Sequence, residues 1–239
     1  MEYRVNINGI DVDAKYSDKE VNEVFIPLLK KLAGLQMKKG ERLLVMLAAP
    51  PGAGKSTLVS FLEYLSAQVL PDKKVQAIGM DGFHRRQEYL LSHTAVVDGR
   101  EISMVEIKGA PVTFDLERFF GKIEEMMSQP SCGWPVYDRR LHNPVEDAVT
   151  VDGDIVLLEG NYLLLDEEGW RDLAHLADFT IAIKADPEVL RERLIERKTA
   201  CGRTREESEK FVDFSDMANV RLCLEKSVPA NLTLDLGRV

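Results

Sequence analysis

The chain has 239 residues, 45% of them hydrophobic and 30% charged, which excludes a disordered or low-complexity chain. The balance of 31 basic and 40 acidic residues leaves a net charge of −9, which disfavours general binding to nucleic acid or to an anionic membrane. This length fits one large α/β domain. We therefore expect one folded core, in which any anionic ligand needs a dedicated pocket.

Nothing in the sequence indicates export or membrane anchoring. The three cysteines, Cys132, Cys201 and Cys223, are too few and too widely spaced for a disulfide framework or a Cys-x-x-Cys metal clip. The first eleven residues lack the apolar segment of a signal peptide, and the apolar run Leu43–Pro51 is far shorter than the roughly 18 residues that span a bilayer. We expect a cytoplasmic protein without a membrane partner.

The first predicted elements are a β-hairpin over about residues 1–16 and a helix. Asn8-Gly9 accepts positive φ at both turn positions and separates the alternating segments Tyr3–Ile7 and Ile10–Ala14. Ser17 can cap the helix, Pro27 can kink it and Gly40 can end it. Its apolar residues recur at helical spacing: Val21, Val24, Phe25, Leu28, Leu29 and Leu32.

Strands and helices then alternate along the chain. Short apolar runs indicate buried strands at Leu43–Ala48, Val75–Met80, Ile155–Leu158 and Phe179–Ile183. Helical spacing indicates helices at Leu58–Leu70, Leu116–Met127 and Pro187–Thr199. This order predicts an α/β fold with a mostly parallel sheet, which binds ligands at the carboxyl edge of its strands. Residues 92–113 are predicted to be an excursion from the core.

A glycine-rich loop joins the first buried strand to its helix. Residues 49–57 read Ala-Pro-Pro-Gly-Ala-Gly-Lys-Ser-Thr, which matches the Walker A pattern with Ala49 in place of the first glycine. In such a loop, backbone N–H groups and the helix N-terminus surround phosphate oxygens. Lys55 would lie beside the β and γ phosphates of ATP, and Ser56 would ligate Mg²⁺. The predicted nucleotide-binding residues are Gly52, Ala53, Gly54, Lys55, Ser56 and Thr57. The alternative is a glycine-rich turn with an exposed lysine.

Two carboxylates follow predicted strands at the same sheet edge. Asp81 lies in Met-Asp-Gly-Phe-His directly after the second strand, and Glu159 follows Ile155–Leu158. We predict that Asp81 is a general base for an attacking alcohol and that Glu159 holds Mg²⁺ together with Ser56. Asp81 could instead be an ordinary Asp-Gly turn residue, and Glu159 a strand-end acid paired with a nearby Lys or Arg. The chain has neither an Asn-Lys-x-Asp guanine motif nor a Leu-Ser-Gly-Gly-Gln transporter signature.

Together, four segments resemble the uridine kinase, pantothenate kinase and phosphoribulokinase group. They are the phosphate loop, Met80–His84, residues 135–144 (Pro-Val-Tyr-Asp-Arg-Arg-Leu-His-Asn-Pro) and residues 158–161 (Leu-Glu-Gly-Asn). The resemblance covers nearly the whole chain, and it extends to bacterial kinases of undefined substrate that are nucleoside kinase-like or fructose transport system kinase-like. It implies a P-loop NTPase three-layer sandwich that phosphorylates a hydroxyl of a nucleoside, a pantothenate-like molecule or a sugar.

The same resemblance implies an acceptor site. Tyr137 and His142 keep the five-residue spacing found in uridine kinases, and the Asp-Gly-Phe run is shared with pantothenate kinases. Pro144 and Arg139 stand where uridine kinases have Arg and Phe, so uridine itself is not carried over. His84 could orient the substrate or be a packed loop residue. The predicted acceptor-site residues are Asp81, Phe83, His84, Tyr137 and His142.

An arginine-rich helix is the remaining predicted element of the site. Arg193 and Arg197 are four residues apart on one helix face, and a bound anion would relieve their repulsion. Kinases that resemble this chain close such a lid over the triphosphate. We therefore predict a lid over about residues 187–207, with Arg193 and Arg197 as catalytic residues. The alternative is a solvated face on which Glu188 pairs with Arg191 and Glu196 with Arg193.

The sequence thus predicts a single P-loop kinase domain over residues 1–239 that uses ATP and Mg²⁺. We expect it to bind a small-molecule acceptor and no nucleic acid. Whether it forms a homodimer is left open. Two other functions stay open. In a nucleoside monophosphate kinase the acceptor is already a phosphate, so the acceptor site would need arginines more than a base such as Asp81. A regulatory protein would bind ATP without phosphorylating anything.

Overall fold

The computed structural model describes residues 1–7, 9–97, 99–200 and 202–236. Asn8, Asp98 and Cys201 lie outside these ranges, so the predicted role of Asn8 in the first turn stays a prediction. Cys132 and Cys223 are buried and free. Within the described ranges, no helix combines the length and the apolar character needed to cross a bilayer.

Eleven strands and eight α-helical segments are described in these ranges. The strands are β1 (Glu2–Ile7), β2 (Ile10–Lys15), β3 (Leu43–Ala48), β4 (Val75–Gly79), β5 (Thr94–Val97), β6 (Arg100–Ser103), β7 (Cys132–Asp138), β8 (Asn143–Val151), β9 (Ile155–Gly160), β10 (Phe179–Ile183) and β11 (Leu232–Leu234). The helices are α1 (Asp18–Glu20), α2 (Ile26–Lys39), α3 (Lys55–Val69), α4 (Gln87–Ser92), α5 (Leu116–Ser128), α6 (Pro187–Ala200), α7 (Arg205–Phe211) and α8 (Met217–Lys226).

A five-stranded parallel sheet forms the centre of the fold, in the order β11-β10-β3-β9-β4. Alternate side chains of β3 enter two different cores. Leu43, Val45 and Leu47 pack with residues of α2, α3 and α6. On the other face, Leu44, Met46 and Ala48 pack with residues of α5 and β7. This arrangement confirms the predicted three-layer sandwich, because each face of the sheet carries its own covering layer.

The predicted N-terminal hairpin is confirmed, since β1 and β2 pair antiparallel. Tyr3 attaches it to α3: its hydroxyl lies 2.8 Å from Ser60 Oγ, and its ring centroid lies 5.3 Å from that of Phe61. Ser17 caps the next helix in a capping box with Glu20. A π-helical turn connects α1 to α2, and Pro27 is the second residue of α2.

Two further hairpins were not predicted from the sequence. One is β5–β6, inside the excursion over residues 92–113. The other is β7–β8, in which Gly133, Pro135 and Pro144 interrupt the strand pattern. The Trp134 indole N–H donates to the Gly79 carbonyl at 2.9 Å, which holds β7 against the end of β4. The predicted strand Val75–Met80 ends one residue early, because residues 80–83 form a 3₁₀ turn.

We predict that Gly82→Ala destabilises the fold, because a Cβ at Gly82 would overlap the Pro135 carbonyl of β7. The expected loss is about 1–3 kcal/mol in the free energy of unfolding, measured by urea denaturation. Gly121→Ala is the matched control: Gly121 is exposed within α5, and a Cβ there meets nothing within 4 Å. This control should gain about 0.5–1 kcal/mol. Equal stability of the two variants would contradict the predicted close contact of β7 with residues 80–83.

Candidate active site

The glycine-rich loop leaves the backbone N–H groups of the first turn of α3 without acceptors among the described residues. Gly52 and Gly54 both have left-handed φ angles, 84° and 82°, which glycine adopts without strain. The first N–H of the helix with an intrahelical acceptor is that of Leu58, which donates to the Gly54 carbonyl at 3.0 Å. Gly54 offers no capping side chain. The N–H groups of residues 55–57 are therefore available to a ligand at the positive end of the helix.

Glu159 lies at the carboxyl edge of the sheet, between the phosphate loop and the Asp81 turn. Strand pairing sets it beside Leu47 of β3 and Gly79 of β4. The Ser56 hydroxyl donates a hydrogen bond of 2.6 Å to its Oε1. Gly79 is needed here, since a Cβ at that position would lie 3.1 Å from Oε1. The strand register thus brings the two predicted metal-binding residues into direct contact.

Burial dominates the electrostatics of Glu159, whose residue surface is only 7% exposed. Desolvation raises the pKa of its carboxyl, and the negative charge of Asp81 acts in the same direction. Lys55 and the Ser56 hydrogen bond oppose the shift. The alternative, in which Glu159 is a strand-end acid paired with a nearby Lys, applies only in part. The positive charge that acts on Glu159 is that of Lys55, and Lys55 belongs to the phosphate loop itself.

Asp81 lies in the 3₁₀ turn after β4 and lines the same cavity as Ser56, Glu159 and Tyr137. Phe83, two residues later, is fully buried and packs against Phe119 and Trp134, with ring centroids 4.6 and 5.0 Å away. Its ring packs in the core on one side of the turn, and Phe83 is not among the residues that line the cavity.

His84 packs between two rings behind Asp81. Its imidazole stacks on Phe114 at 4.0 Å and meets Tyr137 edge to face at 5.3 Å. Its Nδ1 is buried and has no hydrogen-bond partner among the described residues. Burial lowers the pKa of His84 to about 4, and the charges of Lys108 and Arg139 act in the same direction. His84 is therefore a neutral ring at physiological pH.

Tyr137 and His142 occupy different positions on the β7–β8 hairpin. Tyr137 is buried, lines the cavity with Asp81, and has its pKa raised to about 12 by burial. His142 lies in the hairpin turn with a φ of 53° and an exposed side chain. Its backbone carbonyl, rather than its imidazole, accepts a 3.2 Å hydrogen bond from Lys108. Only Tyr137 of this pair lines the cavity in the structure.

Helix α6, the predicted lid, packs directly on the phosphate loop. A Cβ at Gly52 would lie 3.2 Å from Leu194 Cγ, and an Arg193 N–H reaches the Gly52 carbonyl at 3.5 Å. The surface pairing considered for Arg191 differs in the structure: it donates to Asp213 at 2.7 Å and to Glu192 at 3.3 Å rather than to Glu188. Arg193 is thus brought to the loop, while Arg191 ties α6 to the turn after α7.

A family comparison agrees with this geometry. The model of the Phosphoribulokinase / Uridine kinase family matches residues 44–224 of the chain. This span includes the phosphate loop, Asp81 and Glu159, and runs from β3 into α8. The chain belongs to the phosphoribulokinase/uridine kinase family. It is therefore a kinase of small metabolites, as the sequence analysis predicted.

Individual relatives extend the similarity over nearly the whole kinase. YggC of Escherichia coli (strain K12), an uncharacterized protein, is 41% identical over 237 residues, which cover 99% of this chain and 96% of the relative. "Putative uridine kinase C227.14" of Schizosaccharomyces pombe is 31% identical over 209 residues, 85% of this chain and 87% of the relative. The crystal structure of a "putative fructose transport system kinase" from Silicibacter sp. TM1040 has a TM-score of 0.79 and 30% identity, covering 88% of this kinase and 98% of that chain.

We predict that His84 makes the stability of this kinase depend on pH. The unfolded chain takes up a proton at His84 near pH 6.5, whereas the folded protein resists protonation down to about pH 4. The stabilisation is complete above about pH 6.5 and is lost as the pH falls towards 4. Between pH 7 and 5, wild type should lose about 2 kcal/mol more than His84→Gln in urea denaturation. The same substitution at the exposed His175 is the matched control. Parallel pH profiles for wild type and His84→Gln would contradict a buried neutral imidazole.

Proposed function

We propose that this kinase transfers the terminal phosphoryl group of ATP to a hydroxyl of a small acceptor, with Mg²⁺, and that residues 1–239 act as a single domain. One observation carries the proposal: Ser56, Glu159 and Asp81 line one cavity beside the phosphate loop. The hydroxyl and carboxylates of a phosphoryl-transfer site have to meet in this way. A cytoplasmic location and a homodimer stay predictions.

The phosphate loop fits a polyphosphate. The N–H groups of residues 55–57 have no acceptor within α3, and Gly54 leaves open space where a side chain would stand. Lys55, the first residue of α3, brings a positive charge that acts on Glu159. These residues bind and orient the triphosphate, since N–H groups at a helix N-terminus and an ammonium favour phosphate oxygens.

The Ser56–Glu159 pair fits Mg²⁺, a cation that prefers oxygen ligands in a tight octahedral arrangement. When bound, Mg²⁺ neutralises charge on the phosphate oxygens. Glu159 is a buried carboxylate with a raised pKa, and it accepts a hydrogen bond from Ser56 and lies near the positive charge of Lys55. A divalent cation would remove this electrostatic cost and favour the ionised form of Glu159.

Asp81 is positioned to take the acceptor proton. As the acceptor oxygen forms its bond to the γ-phosphorus, the bond from that phosphorus to the departing ADP breaks, and the hydroxyl proton passes to the Asp81 carboxylate. Arg193 and Arg197 of α6 are proposed to balance the developing charge from the other side of the loop. The contact of Arg193 with Gly52 supports this role.

We predict that Asp81→Asn binds ATP like wild type but loses turnover by roughly 10²–10⁴-fold, because the amide cannot accept the proton. Lys55→Ala should weaken both ATP binding and turnover. ATP affinity is measured by calorimetry, and turnover by transfer of labelled phosphate to a pool of nucleosides, sugars and nucleotides. Asp172→Asn, an exposed acid in the turn after Trp170, is the control for loss of a carboxylate.

Two outcomes would contradict the proposal. Near-normal turnover of Asp81→Asn on its acceptor would remove Asp81 as the base. ATP binding by the wild-type protein without transfer to any member of the pool would favour the non-catalytic regulatory protein instead.

A further inference from the structure

The cavity that contains Asp81 is longer than the phosphoryl-transfer reaction needs. Its volume is about 310 Å³, at the lower end of the range for small-molecule sites. One face of α3 lines it from Ser56 to Glu63, seven residues or two helical turns apart, which is about 10 Å along the helix axis. Strand β4 runs beside it from Ala77 to Gly79 and ends at the Asp81 turn. The cavity therefore has a reacting end at Ser56 and a remote end at Glu63.

Glu63 at the remote end has no part in the proposed reaction. Burial raises the pKa of its carboxyl, which accepts the backbone N–H of Ala77. No Lys or Arg lies within ion-pair distance of Glu63 in the described part of the chain. A half-buried carboxylate with one N–H donor keeps free acceptor capacity, because its two oxygens offer about four lone pairs. It can hydrogen-bond a donor group of a ligand.

The N-terminal hairpin forms a wall of this cavity. Tyr3, Val5 and Ile7 are half-buried, while Glu2 and Arg4 are exposed on the other face of β1. Tyr3 fixes the strand on α3 through Ser60 and Phe61, so the tip is carried to the cavity, where Asn6 and Ile7 line it. The hairpin therefore limits which molecules fit beside Glu63.

The charged side chains that line the cavity are all acidic, although Lys55, Lys74 and Arg139 act on lining residues from outside it. Its lining includes the carboxylates Glu63, Asp81 and Glu159, and among the described residues it includes no Lys or Arg. Lys108 packs over the ring of Tyr137 at 5.0 Å and donates to Gln87 and to the His142 carbonyl, but it does not line the cavity. Lys55 and a metal ion would balance Glu159 and Asp81 at the reacting end. Glu63 would remain the carboxylate that no lining residue balances, since Lys74, whose charge acts on it, lies outside the lining and pairs with Asp152, and Glu63 would repel a carboxylate or phosphate on the acceptor.

We propose that the acceptor is a neutral, hydroxyl-rich molecule that extends from the reacting end of the cavity to Glu63, that Glu63 binds a hydroxyl at its remote end, and that the N-terminal hairpin is the wall that selects it. This inference rests on the proposed function for the identity of the reaction, and it excludes nucleoside monophosphates and hydroxy acids as preferred acceptors. Glu63 and Ile7 are specificity residues here, since neither touches the reacting atoms.

A labelling experiment tests the charge of the cavity without any turnover. Ile7→Cys is modified with a positively charged and a negatively charged methanethiosulfonate reagent of similar size. Val96→Cys, on the exposed face of β5 at a position that is 75% exposed, is the reference, and wild type is the blank for the native cysteines. We expect the ratio of cationic to anionic rates to be at least tenfold higher at position 7 than at position 96. Adding Glu63→Gln, which keeps the shape of the side chain and an oxygen acceptor for Ala77, should lower that ratio. Equal ratios at the two positions would overturn the proposal.

A substrate experiment tests the selection. Turnover is compared on pairs of alcohols that differ in one anionic group: glycerol and glycerate, pantothenyl alcohol and pantothenate, a nucleoside and its monophosphate. We expect the neutral members to be preferred. On the best acceptor, Ile7→Trp and Glu63→Gln should raise the KM for the acceptor by at least tenfold and leave the KM for ATP unchanged. Arg4→Trp places the same bulk on the exposed face of β1 and is the control.

Preference for the anionic members, or equal effects of Ile7→Trp and Arg4→Trp, would overturn the proposal. If wild type phosphorylates neither the neutral nor the anionic alcohols, the proposed function fails instead. The ratio of labelling rates then still shows whether the cavity is negatively charged.

Discussion

The candidate site depends on the parallel pairing of β9 between β3 and β4. This register places Glu159 beside Leu47, the penultimate residue of the strand that enters the phosphate loop, and beside Gly79, where β4 turns towards Asp81. A buried carboxylate is costly unless charges or hydrogen-bond donors compensate it. Here the donors come from the first turn of α3, through Ser56 and the charge of Lys55. The same two residues therefore stabilise the buried carboxylate and are available to ligands of the site.

Close backbone contacts make this convergence possible. Gly79 gives Glu159 the space that a side chain would take, and Gly82 lets the Asp81 turn lie against the backbone of β7. Gly52 does the same for α6, whose Leu194 packs on the phosphate loop. The polar groups of the site are thus held by contacts between rigid elements, which limits their movement more than a set of mobile loops would.

Two hairpins form walls of the half-open cavity that we propose for the acceptor. The β7–β8 hairpin supplies Tyr137 and is tied to β4 by the Trp134 hydrogen bond. The N-terminal hairpin supplies Asn6 and Ile7 and is tied to α3 through Tyr3. Both attach to the elements that carry the proposed reacting groups, so the proposed acceptor and phosphate sites share one framework. We therefore expect the residues of the two hairpins to determine which acceptor binds, because the residues at the sheet edge are those proposed to carry out the reaction.

Local patterns were sufficient to predict the parallel strands β3, β4, β9 and β10, the phosphate loop and the first hairpin, because each has a short, continuous signal such as an apolar run or Asn8-Gly9. The strands β7 and β8 were missed, since Gly133, Pro135 and Pro144 interrupt their alternation and packing on β4 compensates for this. The resemblance suggested Phe83 and His142 as acceptor residues, but tertiary packing buries Phe83 in the core and leaves the imidazole of His142 exposed. Glu63, a polar residue on an amphipathic helix, carries no signal of its own. Its position in a cavity arises only when residues 6–7, 63 and 81, which are far apart in the chain, meet in the folded protein. Sites formed by residues adjacent in the chain, such as the phosphate loop, could therefore be predicted from the sequence. The proposed acceptor cavity could not, because residues far apart in the chain form it only after folding.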